Sequence, residues 1–173
     1  MTPSRADSQA GFSLLETLVA LGILAVVAAG VLPVALMTSK VSENQGRLAS
    51  RTTRYAQDKI EQLLALEWDD TTSNTTVSPP IPTGGVGLTA GGSLAGSSPV
   101  SGYSDYLDVD GNAITSANGS PPASWFYQRV WQVSLVGTSV KQVTVLARAR
   151  TSALGGTGQV PQTTLSAMKT AGF

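Results

Sequence analysis

Few side chains in this chain have the type and spacing to do chemistry. Glu16 stands at the front of an aliphatic run, TLVALGILAVVAAGVLPVALMTS, and no further ionisable side chain occurs until Lys40. A lone charge in such a segment costs about 2.5–3.5 kcal/mol in a membrane and is usually retained for a function, so Glu16 needs a counter-charge. A second constellation lies in SDYLDVDGNAI, where Asp108, Asp110 and Asn112 place oxygen ligands at alternate positions, like the first part of a calcium loop. The twelfth position from Asp108 is Gly119, so the closing bidentate glutamate is missing, and an Asp-Gly turn ahead of a strand is the alternative reading. A third group, Trp125, Phe126, Tyr127 and Trp131 with Arg129, Arg148 and Arg150, has the ingredients of a stacking and phosphate platform. Aromatic residues in strands usually pack, however, and three arginines in a neutral chain make a weak electrostatic footprint, so a nucleic-acid partner is not expected.

Composition narrows the field. The 173 residues include no Cys and no His, which removes disulfides, thiolate and imidazole metal ligands, and every triad that needs an imidazole. The remaining Ser and Asp residues have no nucleophile-and-base spacing, so an enzyme is not expected. Lys plus Arg and Asp plus Glu both total 11; charged residues are only 13% and hydrophobic residues 42%. Length allows one modest domain with an anchor.

At about 1.5 Å per residue, a helix through the apolar run covers the roughly 30 Å hydrocarbon core of a bilayer. Arg5 precedes it, whereas Lys40, Arg47, Arg51 and Arg54 follow, which conflicts with a simple positive-inside count. The polar leader Met1 to Ala10, then Gly11, Phe12 and a Glu four positions later, all ahead of the apolar stretch, resemble type IV pilins and type II secretion pseudopilins. The resemblance implies cleavage by prepilin peptidase after Gly11, methylation of the new amino terminus at Phe12, and Glu16 as fifth residue of the mature chain. It also implies that Glu16 meets the amino terminus of a neighbouring subunit, while Pro33 matches a proline often found in the family's membrane helix. Implied partners are other pilins or pseudopilins in a filament or priming complex, prepilin peptidase, the inner-membrane assembly platform and lipid. The family topology is a bacterial inner-membrane single pass with the head outside the cytoplasm. A single-span, membrane-anchored extracytoplasmic binding or adhesion protein that does not polymerise is the rival reading. No cofactor is expected beyond the calcium considered above.

Beyond Ser39 the pattern turns amphipathic, with Val41, Leu48 and Tyr55 seven apart and then Ile60, Leu63, Leu64 and Leu66. This predicts one helix from Ser13 to Glu67. Residues 69–124 read as a Gly/Ser/Thr/Pro-rich loop region with at most short strands. Alternation of Tyr127, Trp131, Val133 and Leu135, broken by Arg129, predicts a strand; Val143, Val145, Ala147 and Ala149 predict another after a Gly137-Thr138-Ser139 turn. The expected fold is α+β, a long helix whose second half packs on a small antiparallel sheet, as in pilins. The segments are a cleaved leader 1–11, a transmembrane or filament-core helix 12–39, an amphipathic continuation 40–68, the loop region, and the sheet of the head 125–173. The Tyr127–Trp131 stretch leading into Lys141–Val145 also resembles minor pilins of the pilus-modification type and I-type minor pseudopilins.

Overall fold

The apolar and amphipathic patterns form one helix, α1 (Leu14–Leu64), of 51 residues. The computed structural model describes residues 13–115, 121–150 and 160–171. The chain divides into two compact units, Met1–Glu43 and Asn44–Phe173, and α1 has residues in both.

In the first unit the helix begins on a cap. Ser13 Oγ accepts the backbone N–H of Glu16 at 3.2 Å, and Ser13 C=O accepts that of Thr17 at 3.2 Å. The first engages one of the helix's orphan donor groups and the second is the first intrahelical bond; a carboxylate three residues after a serine is the pattern of a capping box. Pro33 lies inside the helix. Having no N–H, it leaves the C=O of Ala29 without its intrahelical donor.

In the second unit α1 buries Thr52, Tyr55, Ala56, Lys59, Ile60 and Leu63, one stripe at three- and four-residue spacing. It stops at Leu64, three residues before the expected Glu67. The last turn carries no basic residue of its own. Cations from the sheet supply the end instead: Lys169 Nζ donates to Leu64 C=O at 2.7 Å, and Lys141 Nζ to Trp68 C=O at 2.6 Å, lying over the Trp68 ring.

Among the described residues six strands follow: β1 (Gly91–Gly92), β2 (Ser104–Leu107), β3 (Ala113–Ile114), β4 (Tyr127–Val136), β5 (Val140–Ala149) and β6 (Gln162–Thr170). They form one antiparallel sheet in the order β3-β2-β4-β5-β6, with β1 beside β4. The hairpin of β4 and β5 closes Val136 against Val140 around Gly137, whose φ of 72° suits a residue without a Cβ. Tyr127, Trp131, Val133, Val143, Val145, Ala147 and Ala149 meet Tyr55, Ala56, Ile60 and Leu63 in the core. The rings of Tyr55 and Tyr127 pack edge to face at 4.8 Å. Thr163 of β6 bonds to the hydroxyls of Thr52 and Thr53.

Three features depart from the pattern read in the sequence. The region 69–124, read as loop with at most short strands, carries the short strands β1, β2 and β3, whose positions the sequence did not mark. Two of these strands are only two residues long, too short for alternation to register. The strand β6 was not marked by apolar alternation, because its helix-facing positions are Thr163, Leu165, Ala167 and Lys169. Leu135, of the apolar parity in β4, is exposed because it sits at the hairpin end beyond the helix-covered core.

Candidate processing and assembly site

The candidate site begins at the amino terminus. Gly11 and Phe12 lie outside the described residues. Glu16 is exposed in the first turn of α1, where the positive end of the helix dipole favours a carboxylate. Among the described residues no ion pair involves Glu16. From Leu14 to Val31 the helix has a mean hydropathy of 2.4 and none of it is buried. Leu14, Leu18, Leu21, Ile23, Leu24 and Val27 are all exposed on it. That surface is long and apolar enough to cross a bilayer or to pack against copies of itself.

The head holds a charged cluster that the sequence only hinted at, through the arginine breaking the apolar parity of β4. Asp105 of β2 stands directly across from Arg129 of β4, and the guanidinium grips both carboxylate oxygens, Nε to Oδ1 and Nη2 to Oδ2, each at 2.7 Å. Lys59 rises from α1 to place Nζ 2.9 Å from Asp105 Oδ2, also donating to Gln62 Oε1 at 2.7 Å and to the C=O of Thr75. Its ammonium lies 4.1 Å from the centre of the Trp131 ring. Lys59 is fully buried, Asp105 is 4% exposed and Arg129 is 7% exposed. Burial pushes the Lys59 amine down to about 8; Asp105 pulls it back up and Arg129 adds to the depression. Burial also pushes the Asp105 carboxyl up, but Lys59 and Arg129 outweigh it and hold the group below its ordinary value. A cleft of about 410 Å³ lined by Asn74, Thr76, Ser101 and Ser104 reaches Asp105. With both of its oxygens held by cations, Asp105 presents no free base to that cleft.

Asp108, Asp110 and Asn112 share one turn. Asp108 Oδ1 accepts the backbone N–H groups of Asp110 at 2.9 Å and Asn112 at 2.8 Å, while Oδ2 accepts the side-chain amide of Asn112 at 2.9 Å. The Asn112 side chain and backbone hold the Asp108 carboxyl below its ordinary value. Both oxygens are thus used by donors of their own loop, the arrangement of an Asp-Gly turn. Gly111 has a φ of 94°, and a Cβ there would lie 2.4 Å from the Tyr55 hydroxyl, so the turn rests on α1. Among the described residues no group of three His, Cys, Asp or Glu side chains is placed to hold a metal.

The aromatic and arginine platform is dispersed. Tyr127, Trp131 and Arg129 are buried. Arg148 is spent on Gln128 Oε1 and Gly96 C=O, both at 2.7 Å, and Arg150 on the carbonyls of Ala123 and Trp125. Trp125 packs edge on Tyr106 beneath Arg150.

Residues 7–32 match the family model described as the prokaryotic N-terminal methylation motif. The chain carries the prepilin-type motif of type IV pilins and pseudopilins. The match spans Gly11, Phe12, Glu16 and most of the apolar run. No curated protein and no solved structure matches the chain. In this prepilin-type chain the long helix on an antiparallel sheet is the α+β, pilin-like arrangement expected of the head. The motif implies, in general terms, contact with other pilins and with prepilin peptidase.

Proposed function

We propose that the chain is the precursor of a structural subunit of a type IV pilus or a type II secretion pseudopilus. Prepilin peptidase cuts after Gly11 and methylates the amino group of Phe12. The mature helix then assembles with those of other subunits, and Glu16 pairs with the amino terminus of a neighbour. The observation that carries this reading is the coincidence of the methylation motif over residues 7–32 with an exposed, membrane-length apolar helix that has Glu16 in its first turn. The physics of the charge supports it, since an unpaired carboxylate in lipid is costly and a neighbour's amine removes the cost. Pro33 loosens the same helix where it must adapt to packing. The head lies outside the cytoplasm and the protein is anchored in the inner membrane until the assembly platform extracts it.

A minor or priming role is the finer form of this reading. It rests on the similarity of the Tyr127–Trp131 and Lys141–Val145 stretches to minor subunits, and on the lack of a cysteine pair to staple the C-terminal region. Mass spectrometry of the amino terminus from a host with the peptidase is the direct test. A chain starting at N-methyl-Phe12 supports processing; one still starting at Met1 overturns it. Glu16→Ala is expected to leave membrane insertion and cleavage intact and to remove the protein from sheared filaments. Normal incorporation of that variant would instead favour the single-span anchor.

A further inference from the structure

The Lys59–Asp105–Arg129 cluster is not balanced in charge. Two buried cations share one carboxylate, and at neutral pH the lysine, at about 8, is still largely protonated. One positive charge is left over in the core, where an uncompensated charge is costly.

The guanidinium is also unfinished as a donor. Of its five N–H groups, the one on Nε and one on Nη2 go to Asp105, and one on Nη1 goes to Tyr55 C=O at 3.5 Å. Among the described residues no acceptor meets the remaining N–H on each terminal nitrogen. Such a pair is the fork with which an arginine grips both oxygens of a further carboxylate. A cleft of about 210 Å³ between α1 and the β2–β3 hairpin is lined by Arg129. The Arg129 backbone is tied into the ladders with β2 and β5, so what this residue offers the cleft is its side chain. Tyr55 and Leu107 are buried with Arg129 and make the floor, whereas Asp58, Ser78 and Ala113 are exposed and make the rim.

The rim supplies the opposite sign. The Asp58 side chain is 53% exposed and stands 4.0 Å from Arg54. A bare anion would enter past this carboxylate at a cost, whereas a ligand with a carboxylate in front and an amine behind meets a partner at each end. We infer that the cleft binds a small α-amino acid, its carboxylate on the free N–H groups of Arg129 and its ammonium toward Asp58. The size agrees, because drug-sized ligands fill about 300–1,000 Å³ and this cleft suits something smaller. Gln62 lines it too; with Oε1 taken by Lys59, what Gln62 has left to offer is its amide NH2, a further donor suited to a carboxylate. Beyond Arg129 and Asp58 the lining holds no charged side chain, so a third charge on the ligand finds no partner and a neutral side chain is favoured. The cleft needs neither cleavage at Gly11 nor the pairing of Glu16.

Nuclear magnetic resonance of the isotope-labelled full-length chain in detergent micelles tests the site. Glycine is expected to shift the Arg129 Nε–H and Gly111 amide signals, with a Kd on the order of 1 mM. Acetate keeps the carboxylate without the amine and is expected to bind about tenfold more weakly. Glycinamide, which lacks the carboxylate, and sodium chloride at matched ionic strength are expected to leave both signals in place. N-acetylglycine stands in for the carboxy end of a peptide and has no amine for Asp58, so it is expected to bind as weakly as acetate; binding as tight as that of glycine would overturn the amino-acid assignment. Because Arg129 also holds Asp105, two rim variants carry the test. Ala113→Leu fills the rim without touching a polar partner and is expected to weaken glycine at least about tenfold with the unfolding midpoint unchanged. Asp58→Asn loses only an exposed ion pair of little weight and is expected to erase the difference between glycine and acetate. Signals that stay in place up to about 100 mM glycine, or glycine affinity unchanged in both folded variants, would overturn the inference.

Discussion

Asp105 is shared by two buried cations, and the stability of the head depends on that sharing. Asp105→Asn leaves Lys59 and Arg129 without their counter-charge, and breaking a buried pair in this way costs about 3–5 kcal/mol. Lys59→Met is expected to cost far less, because the bidentate Arg129 contact survives and the desolvated ammonium is gone. Urea unfolding followed by the fluorescence of Trp131, which lies under Lys59, would order the two variants; equal losses would contradict this account. The lysine also predicts a pH dependence. Its amine sits at about 8 in the folded chain against an ordinary 10.5. Between those values the unfolded chain holds more protons, so stability is expected to rise with pH by up to about 1.4 kcal/mol per unit. Above about pH 10 Tyr55 and Tyr103, whose phenols burial pushes up, act in the opposite direction. At the acid end the depressed Asp105 carboxyl contributes stability that is lost as pH falls through its folded value. Unfolding midpoints between pH 8 and 9.5 test the alkaline limb, and Lys59→Met should abolish the slope.

At the scale of elements, α1 does two jobs with one continuous backbone. Its head-facing stripe ends on Leu63, fully buried against the sheet, and Leu63→Ala is expected to cost 2–5 kcal/mol in an unfolding titration. A loss below about 1 kcal/mol would mean that the helix end is not anchored there. Its apolar first part is interrupted by Pro33, and Pro33→Ala restores a donor for Ala29 C=O. Amide exchange at position 33 in that variant should then be protected like its helical neighbours; rapid exchange would show that the helix is open for another reason. The helix, the β4–β5 hairpin and the antiparallel pairing were legible because each repeats its period over ten residues or more. The strands β1 and β3 were not, because two residues carry no period. Lys59 was missed for a related reason: in a helix pattern a lysine reads as solvent-facing, and only the approach of Asp105 from 46 positions away makes its burial tolerable.

For the whole molecule, the Asp108 turn bears on whether the head needs a metal. Because both carboxylate oxygens are engaged by Asp110 and Asn112, chelation is expected to leave the unfolding midpoint unchanged, and added calcium should not raise it. A calcium-dependent rise would show that the Asn112 amide rotates to offer its oxygen. The sequence by itself determined the amino-terminal motif and apolar helix of this protein. Gly11, Phe12, Glu16 and the apolar run are contiguous within the matched motif, and from Leu14 onward a single helix converts the order of the apolar residues directly into a surface. What only the tertiary structure decided lies in the head: that Lys59, Asp105 and Arg129 meet, that Trp131 is core and not a platform, and that β6 is left as the open edge. Those outcomes depend on contacts between residues far apart in the chain, and the local periodicity of an element does not encode which distant strand becomes its neighbour.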